Sequence, residues 1–205
     1  MNKRPPIAAC ILAAGAARRM GAPKLLVSLG NSCLLEHALK VSLSSLADSV
    51  IAVTGAYHTK MLPLLNAYSV RWVHNERWAD GQAGSVSAAA RYCQAKGFDA
   101  MLLMVADQPF VTAAHLDALI QAYLSGKAEI FFSQVGTQKG NPCLFDACCY
   151  PALTKLAGDT GAKRLFGEDS GYKSQPVVSD STLLFEDIDT KKDLERLRGM
   201  LRDAW

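Results

Sequence analysis

The stretch Ile7-Ala8-Ala9-Cys10-Ile11-Leu12-Ala13-Ala14-Gly15-Ala16-Ala17-Arg18-Arg19-Met20-Gly21-Ala22-Pro23-Lys24 is an apolar run that breaks into small residues and then into three cations. Lys3-Arg4-Pro5-Pro6 ahead of it gives the sign pattern of a signal peptide, but Gly15 and Arg18-Arg19 interrupt the run, and a buried first strand explains it better. The small residues after the strand let the backbone approach a polyphosphate and present its N–H groups, while Arg and Lys neutralise phosphate charge. An ordinary strand-to-helix turn would use the same small residues, and composition leaves both readings open. The loop is not a Walker A loop, because no Ser or Thr follows Lys24, and it is not the dinucleotide G-x-G-x-x-G.

Outward from this loop, short apolar runs alternate with longer amphipathic segments, the pattern of βαβ units and a mostly parallel sheet. Strands are expected at Ile7 to Ala13, Ser49 to Val53, Val70 to Val73 and Ala100 to Val105. Apolar spacing of three and four predicts helices near Leu34 to Leu46, His58 to Ala67 and Ser85 to Lys96, and over Ala113 to Ser125 with Thr112 as N-cap. The alternation then loosens. Glu129 to Gln134 reads as a strand, Gly136 to Gly140 as a polar turn and Pro142 to Phe145 as a short returning strand, a small antiparallel excursion. Leu183 to Ile188 is expected to add a last strand. Thr190 to Met200 reads as a closing helix with Thr190 as N-cap and Asp193 in its first turn. The expected fold is therefore a three-layer α/β/α, Rossmann-like domain.

The chain has 205 residues, enough for one such domain and short for two. Half of it is apolar and a fifth is charged, with a net charge of +3 that includes no long basic run. Nucleic acid is not the expected partner. No segment approaches the roughly 20 apolar residues of a membrane span, so no membrane is expected and the cytoplasm is the expected location. The six cysteines show no C-x-x-C and the four histidines no H-E-x-x-H, so buried reduced thiols are expected, with neither a zinc site nor a disulfide framework.

In an open α/β sheet the ligand lies beyond the carboxyl ends of the strands. Those ends are Leu12-Ala13-Ala14-Gly15, Val53-Thr54-Gly55, His74-Asn75 with the nearby Gly81-Gln82-Ala83-Gly84-Ser85, and Ala106-Asp107-Gln108-Pro109. An Asp at the tip of the most apolar strand is well placed to hold hydrated Mg²⁺ on phosphate oxygens, since it would be costly beneath the sheet without a cation. An N-cap or turn role is the alternative for Asp107. Ser85 is equally readable as a helix cap, and Asp187 and Asp189 as acidic residues favouring the positive end of the last helix.

Leu-Ala-Ala-Gly-x-x-x-Arg-Met-Gly-x-Pro-Lys resembles the signature of the nucleotidyltransferase superfamily, and within it the sequence is most similar to the molybdenum cofactor cytidylyltransferase branch. The resemblance runs from Ile7 to about Leu197. It implies that Gly15, Arg19 and Lys24 hold the triphosphate, Arg19 and Lys24 stabilising the leaving pyrophosphate. Leu12, Ala13, Ala14, Gly15, Thr54 and Asn75 are nucleotide-site candidates, joined by Gln82, Gly84 and Ser85 for the base. It further implies that Asp107, in Asp-x-Pro, binds Mg²⁺, and that Asp189, in Asp187-Ile188-Asp189-Thr190, supplies the second carboxylate. Ala17 departs from the Ser found in many members. Lys139-Gly140-Asn141-Pro142 and Gly158-Asp159-Thr160-Gly161-Ala162-Lys163 resemble acceptor-side motifs, which makes Gly140, Asn141, Pro142, Asp159 and Gly161 acceptor candidates. Asn141 and Lys163 stand where the family usually has His and Arg, and Gly140 and Gly161 are equally explained as turn glycines.

A phosphate-monoester acceptor needs no general base, because its second pKa is about 6. The expected reaction is attack of that phosphate on the α-phosphorus of an NTP with loss of pyrophosphate. Ala14 matches the cytidylyl branch, whereas the guanylyl branch has Gly there, which favours CTP with molybdopterin as acceptor and a molybdoenzyme receiving the product. The rivals are a cytidylyl- or uridylyltransferase for a sugar or polyol phosphate, a molybdopterin guanylyltransferase, and a non-catalytic cofactor-insertion protein.

Overall fold

A computed structural model describes residues 4–17, 20–29 and 31–204. Strand β1 (Ile7–Ala13) is fully buried along its length, which is why it reads as a continuous apolar run rather than an alternating one. Its residues divide between the two faces of the sheet by the period of two. Ile7, Ala9, Ile11 and Ala13 join one core, and Ala8, Cys10 and Leu12 the other.

After β1 come a two-stranded hairpin, β2 (Ser28–Leu29) and β3 (Ser32–Cys33), then α1 (Leu34–Leu43), β4 (Ser49–Thr54), α2 (His58–Ala67), β5 (Arg71–His74), α3 (Gln82–Lys96) and β6 (Ala100–Val105). Helix α4 (Ala113–Ser125), β7 (Ile130–Val135), β8 (Gln138–Asp146), α5 (Tyr150–Leu153), β9 (Ser174–Val178) and α6 (Lys191–Ala204) complete the order. The seven-stranded sheet runs β5-β4-β1-β6-β8-β7-β9. All neighbouring pairs are parallel except the two that involve β8. The first core packs α1, α2, α4 and Leu197 of α6 on one face, and the second packs α3, α5 and Ala162, Leu165 and Phe166 on the other, giving an α/β/α stack. No helix among the described residues is long and apolar enough to cross a membrane.

Two expectations need correction. The segment Leu183 to Ile188 is a turn, not a strand; Leu184 and Ile188 are buried in the first core, which accounts for its apolar look. The last strand is instead β9, which pairs with β7 and carries Pro176; a Pro is tolerated there because β9 is the edge of the sheet. The antiparallel excursion is also longer than expected, since β8 begins at Gln138 and shifts register against β7 between Phe132 and Ser133. Of the cysteines, Cys148 is exposed and the other five are buried, all as free thiols.

Candidate active site

Strands β1 and β6 lie side by side, Leu12 opposite Val105, so the loops that leave their carboxyl ends face one another. The β1 loop is fastened by its carbonyls. Ala14 O accepts from Ala56 N at 3.1 Å and Ala17 O from Met20 N at 2.9 Å, while Ala16 O accepts from the Tyr57 hydroxyl at 2.9 Å. Ala17 has φ 47°, a left-handed conformation that costs energy for an L residue, and such strain is characteristic of ligand-binding loops. Beyond it a single 3₁₀ turn, Lys24–Leu26, buries Leu25 and leaves the Lys24 stem anchored at the cleft.

Lys24 Nζ donates to Asp107 Oδ2 at 2.6 Å and to Asp189 Oδ1 at 2.8 Å. Three residues from three distant parts of the chain thus meet at one point. The convergence follows from local packing. Ile188 is fully buried and its N–H donates to the Asp107 carbonyl at 3.1 Å, so the carboxylates flanking it are delivered beside Asp107. Asp189 is fixed from the other side by a capping box on α6. Asp193 Oδ2 accepts from the N–H groups of Thr190 (2.8 Å) and Asp189 (3.2 Å), and Thr190 Oγ1 accepts from Asp193 N at 3.2 Å.

The electrostatics match the geometry. Burial alone would lower the Lys24 pKa, but Asp107 and then Asp189 outweigh it and hold the ammonium above its ordinary value. Asp187 is pushed up to about 6 by burial first and then by the charges of Asp107 and Asp189, against a hydrogen bond from Gln108.

Around the clamp the cleft has two sides. A hollow of about 440 Å³ is lined by Leu12, Ala14 to Ala17, Trp78, Ala79, Gly81, Gln82, Ser85, Val105, Asp107 and Asp159, and its size suits a small ligand. On the other side lie Val86, Leu103, Gln108, Asn141, Gly161, Ala162, Lys163, Asp187 and Asp189, with Gln82, Val105, Asp107 and Asp159 shared between the two. Two loops meet beside the first of these hollows. Gly81 has φ 110°, and a Cβ there would lie 2.4 Å from Gly158 O, so this close approach of backbones requires glycine.

Of the residues expected at the site, the structure brings Leu12, Ala13, Ala14, Gly15, Lys24, Gln82, Ser85, Asp107, Asn141, Asp159, Gly161 and Asp189 to the cleft. Arg19 lies outside the described residues. Others stand behind the cleft wall. Thr54 is fully buried; its hydroxyl donates to Val73 O at 3.3 Å and lies 2.8 Å from His58 Nδ1. Asn75 Nδ2 donates to Ser85 Oγ at 3.1 Å, and Gly84 packs against that Asn75 side chain. Asn75 thus positions Ser85, and Ser85 lies inside α3 rather than capping it, because the helix starts at Gln82. Gly140 packs on the Phe185 ring, and Pro142, joined to Asn141 by a cis peptide, offers its carbonyl to Ser133 Oγ at 2.6 Å. Trp78 was not among the expected site residues. Gly55 leaves no room for a Cβ, since Ala14 O and Trp78 Cβ would each lie 2.6 Å away, and this contact, which no sequence pattern announces, holds Trp78 beside the β1 loop.

A small-residue loop meeting a cation held by one carboxylate at the tip of β6 and another at the start of α6 is equipment for handling a nucleoside triphosphate, and the chain is a nucleotidyltransferase. It belongs to the family of the MobA-like NTP transferase domain, whose profile matches residues 9–177. The chain is 30% identical over 203 residues to the purine catabolism protein PucB of Bacillus subtilis, covering 96% of this chain and 98% of that protein. It is 25% identical to a probable molybdenum cofactor guanylyltransferase of Rhodopirellula baltica, covering 93% and 90%. A 2-C-methyl-D-erythritol 4-phosphate cytidylyltransferase of Pseudoalteromonas translucida is 34% identical over 130 residues, covering 61% of this chain and 52% of that enzyme. Among solved structures, Rv0371c of Mycobacterium tuberculosis superposes with a TM-score of 0.82 at 25% identity, covering 97% of this chain and all of that one. A second structure of Rv0371c, in complex with manganese, matches with a TM-score of 0.76.

Proposed function

We propose that this chain transfers CMP from CTP to the phosphate of molybdopterin, releasing pyrophosphate, with Mg²⁺ held by Asp107 and Asp189. The observation that carries the reading is the convergence of Asp107 Oδ2 and Asp189 Oδ1 on one cation, the Lys24 ammonium, 2.6 and 2.8 Å away. Two oxygens that can share one cation can share a divalent ion. Among the described residues no three His, Cys, Asp or Glu side chains group as a metal cage, which fits Mg²⁺, an ion that completes its shell with water and substrate phosphates. Bound there, the ion would neutralise charge on the α-phosphate and on the leaving pyrophosphate.

The chain's own residues do the rest. Gly15 to Ala17 and Lys24 border one hollow and receive the triphosphate, joined by Arg19 on the same loop. The base lies in the hollow of Trp78, Gln82 and Ser85. The acceptor enters from the side of Asn141, Gly161 and Lys163, so its phosphate approaches the α-phosphorus opposite the leaving group. No proton need be removed from an ionised phosphate, and no general base is assigned. The methyl of Ala14, packed beside Gly55 and Trp78, narrows the base side and supports CTP over GTP. The molybdenum cofactor and cytidylyl activities named for two relatives support the choice of acceptor and of base respectively.

Pyrophosphate release is the direct test, with Mg²⁺, each of CTP, GTP, UTP and ATP, and either molybdopterin or a panel of sugar and polyol phosphates. Release with CTP and molybdopterin is expected, falling on the order of a thousandfold in Asp107→Ala. Release with GTP, or with a sugar phosphate only, would overturn the base or the acceptor. Tight nucleotide binding without any turnover would favour a cofactor-insertion protein.

A further inference from the structure

We propose that Lys24 is a resident cation that keeps divalent metal off Asp107 and Asp189 until a nucleotide draws its ammonium away. The inference rests on the metal assignment made above. Lys24 Nζ sits between the same two oxygens that would bind the ion, at 2.6 and 2.8 Å, and its side chain is only 12% exposed. An ammonium and a metal ion cannot occupy that space together, and their repulsion in a partly buried site is strong. Removing the ammonium without replacing it would take away the cation that bridges Asp107 and Asp189, so the lysine also ties these two carboxylates together.

A triphosphate changes this balance. Lys24 borders the same hollow as Gly15 and Ala17 of the β1 loop, and phosphates bound there offer the ammonium new anionic partners within a side-chain swing. The two carboxylates are then released for the ion that arrives with the nucleotide. Metal and nucleotide binding are thereby coupled, and by linkage the coupling is reciprocal. The free protein binds metal poorly, and the complete site assembles only around a metal–nucleotide complex.

The test is Mn²⁺ binding, followed by the paramagnetic resonance signal of the free ion, to the whole chain without nucleotide. Lys24→Met should bind Mn²⁺ on the order of tenfold tighter than the wild type or more. Adding Asp107→Ala to Lys24→Met should abolish that gain. Mn²⁺ should also raise the melting temperature of Lys24→Met more than that of the wild type. Lys24→Gln repeats the measurement if the Met variant lacks a native circular dichroism spectrum. Equal Mn²⁺ affinity of wild type and both Lys24 variants, alongside Asp107-dependent Mn²⁺ binding to the wild type in the presence of CTP, would overturn the inference and leave the metal assignment standing. Mn²⁺ binding that ignores Asp107 under every condition would overturn both.

Discussion

At the scale of single residues the cleft depends on backbones brought closer than any side chain allows. Gly81 adopts φ 110° and touches the Gly158 carbonyl, while Ala83 N donates to that same carbonyl at 3.1 Å. The two loops are thereby held together beside the cleft, which Gly81 and Asp159 line. Gly81→Ala must push them apart as well as force an unfavourable φ. A loss of about 1–3 kcal/mol in stability is expected, measurable by urea unfolding. Steady-state kinetics should show a raised KM for the nucleotide, since Gly81 lines the hollow proposed for the base; an unchanged nucleotide KM would contradict that placement. The residue scale is also where the sequence was least legible. Thr54 and Asn75 follow strands and are polar, so they look like site residues. A strand's side chains alternate between faces, and position along the chain does not say which face the last one takes. Both turn inward, and the half-buried Trp78, with no polar motif of its own, lines the cleft instead.

Elements that are uniformly buried or strictly periodic were readable in full, and those shaped by partners were not. β1, β6, α2 and α4 fall where spacing alone puts them, and Thr112 caps α4 by accepting from His115 N. β9 was missed because an edge strand with a Pro and no buried residue has no apolar run, and Leu183 to Ile188 misled because a turn that anchors in the core borrows a strand's composition. That anchored segment has a function, since Ile188 and the α6 capping box between them hold Asp189. Thr190→Ala should cost about 0.5–2 kcal/mol, and, because Asp189 loses part of its anchorage, it should raise the metal concentration needed for half-maximal activity; an unchanged metal requirement would confine the box to capping. A second tie between elements titrates. The Ser133 hydroxyl donates to Pro142 O at 2.6 Å, so it accepts from His115 Nε2 at 2.7 Å, joining α4 to β7. Burial lowers the His115 pKa. Below about pH 6.5 the unfolded chain therefore takes a proton that the folded one refuses, and stability falls as pH drops through that value before levelling beneath the folded pKa. His115→Gln, which keeps a donor, should shrink the difference between urea midpoints at pH 7.5 and pH 5.5.

At the scale of the whole molecule, the cleft is where parts from both halves of the sheet meet. The β1 loop and Lys24 come from the parallel half, while Asn141 lies in β8, the reversed strand, and Asp189 leads into α6. Without a ligand these parts are joined through Lys24 and the bond from Ile188 to Asp107. A metal–nucleotide complex would add contacts to all of them at once while binding the unfolded chain negligibly. Binding of that kind shifts the folding equilibrium by mass action, about 2.7 kcal/mol at a hundred times Kd. For a chain of this size each kcal/mol corresponds to roughly 2–4 °C, so the melting temperature should rise by about 5–10 °C with saturating Mg²⁺ and CTP. Mg²⁺ alone should give little of that rise, because Lys24 already satisfies the carboxylates, and Asp107→Ala should lose most of it. A full rise with nucleotide alone would mean that the triphosphate binds without the metal and that the two halves are joined by the loop and not by Asp107 and Asp189.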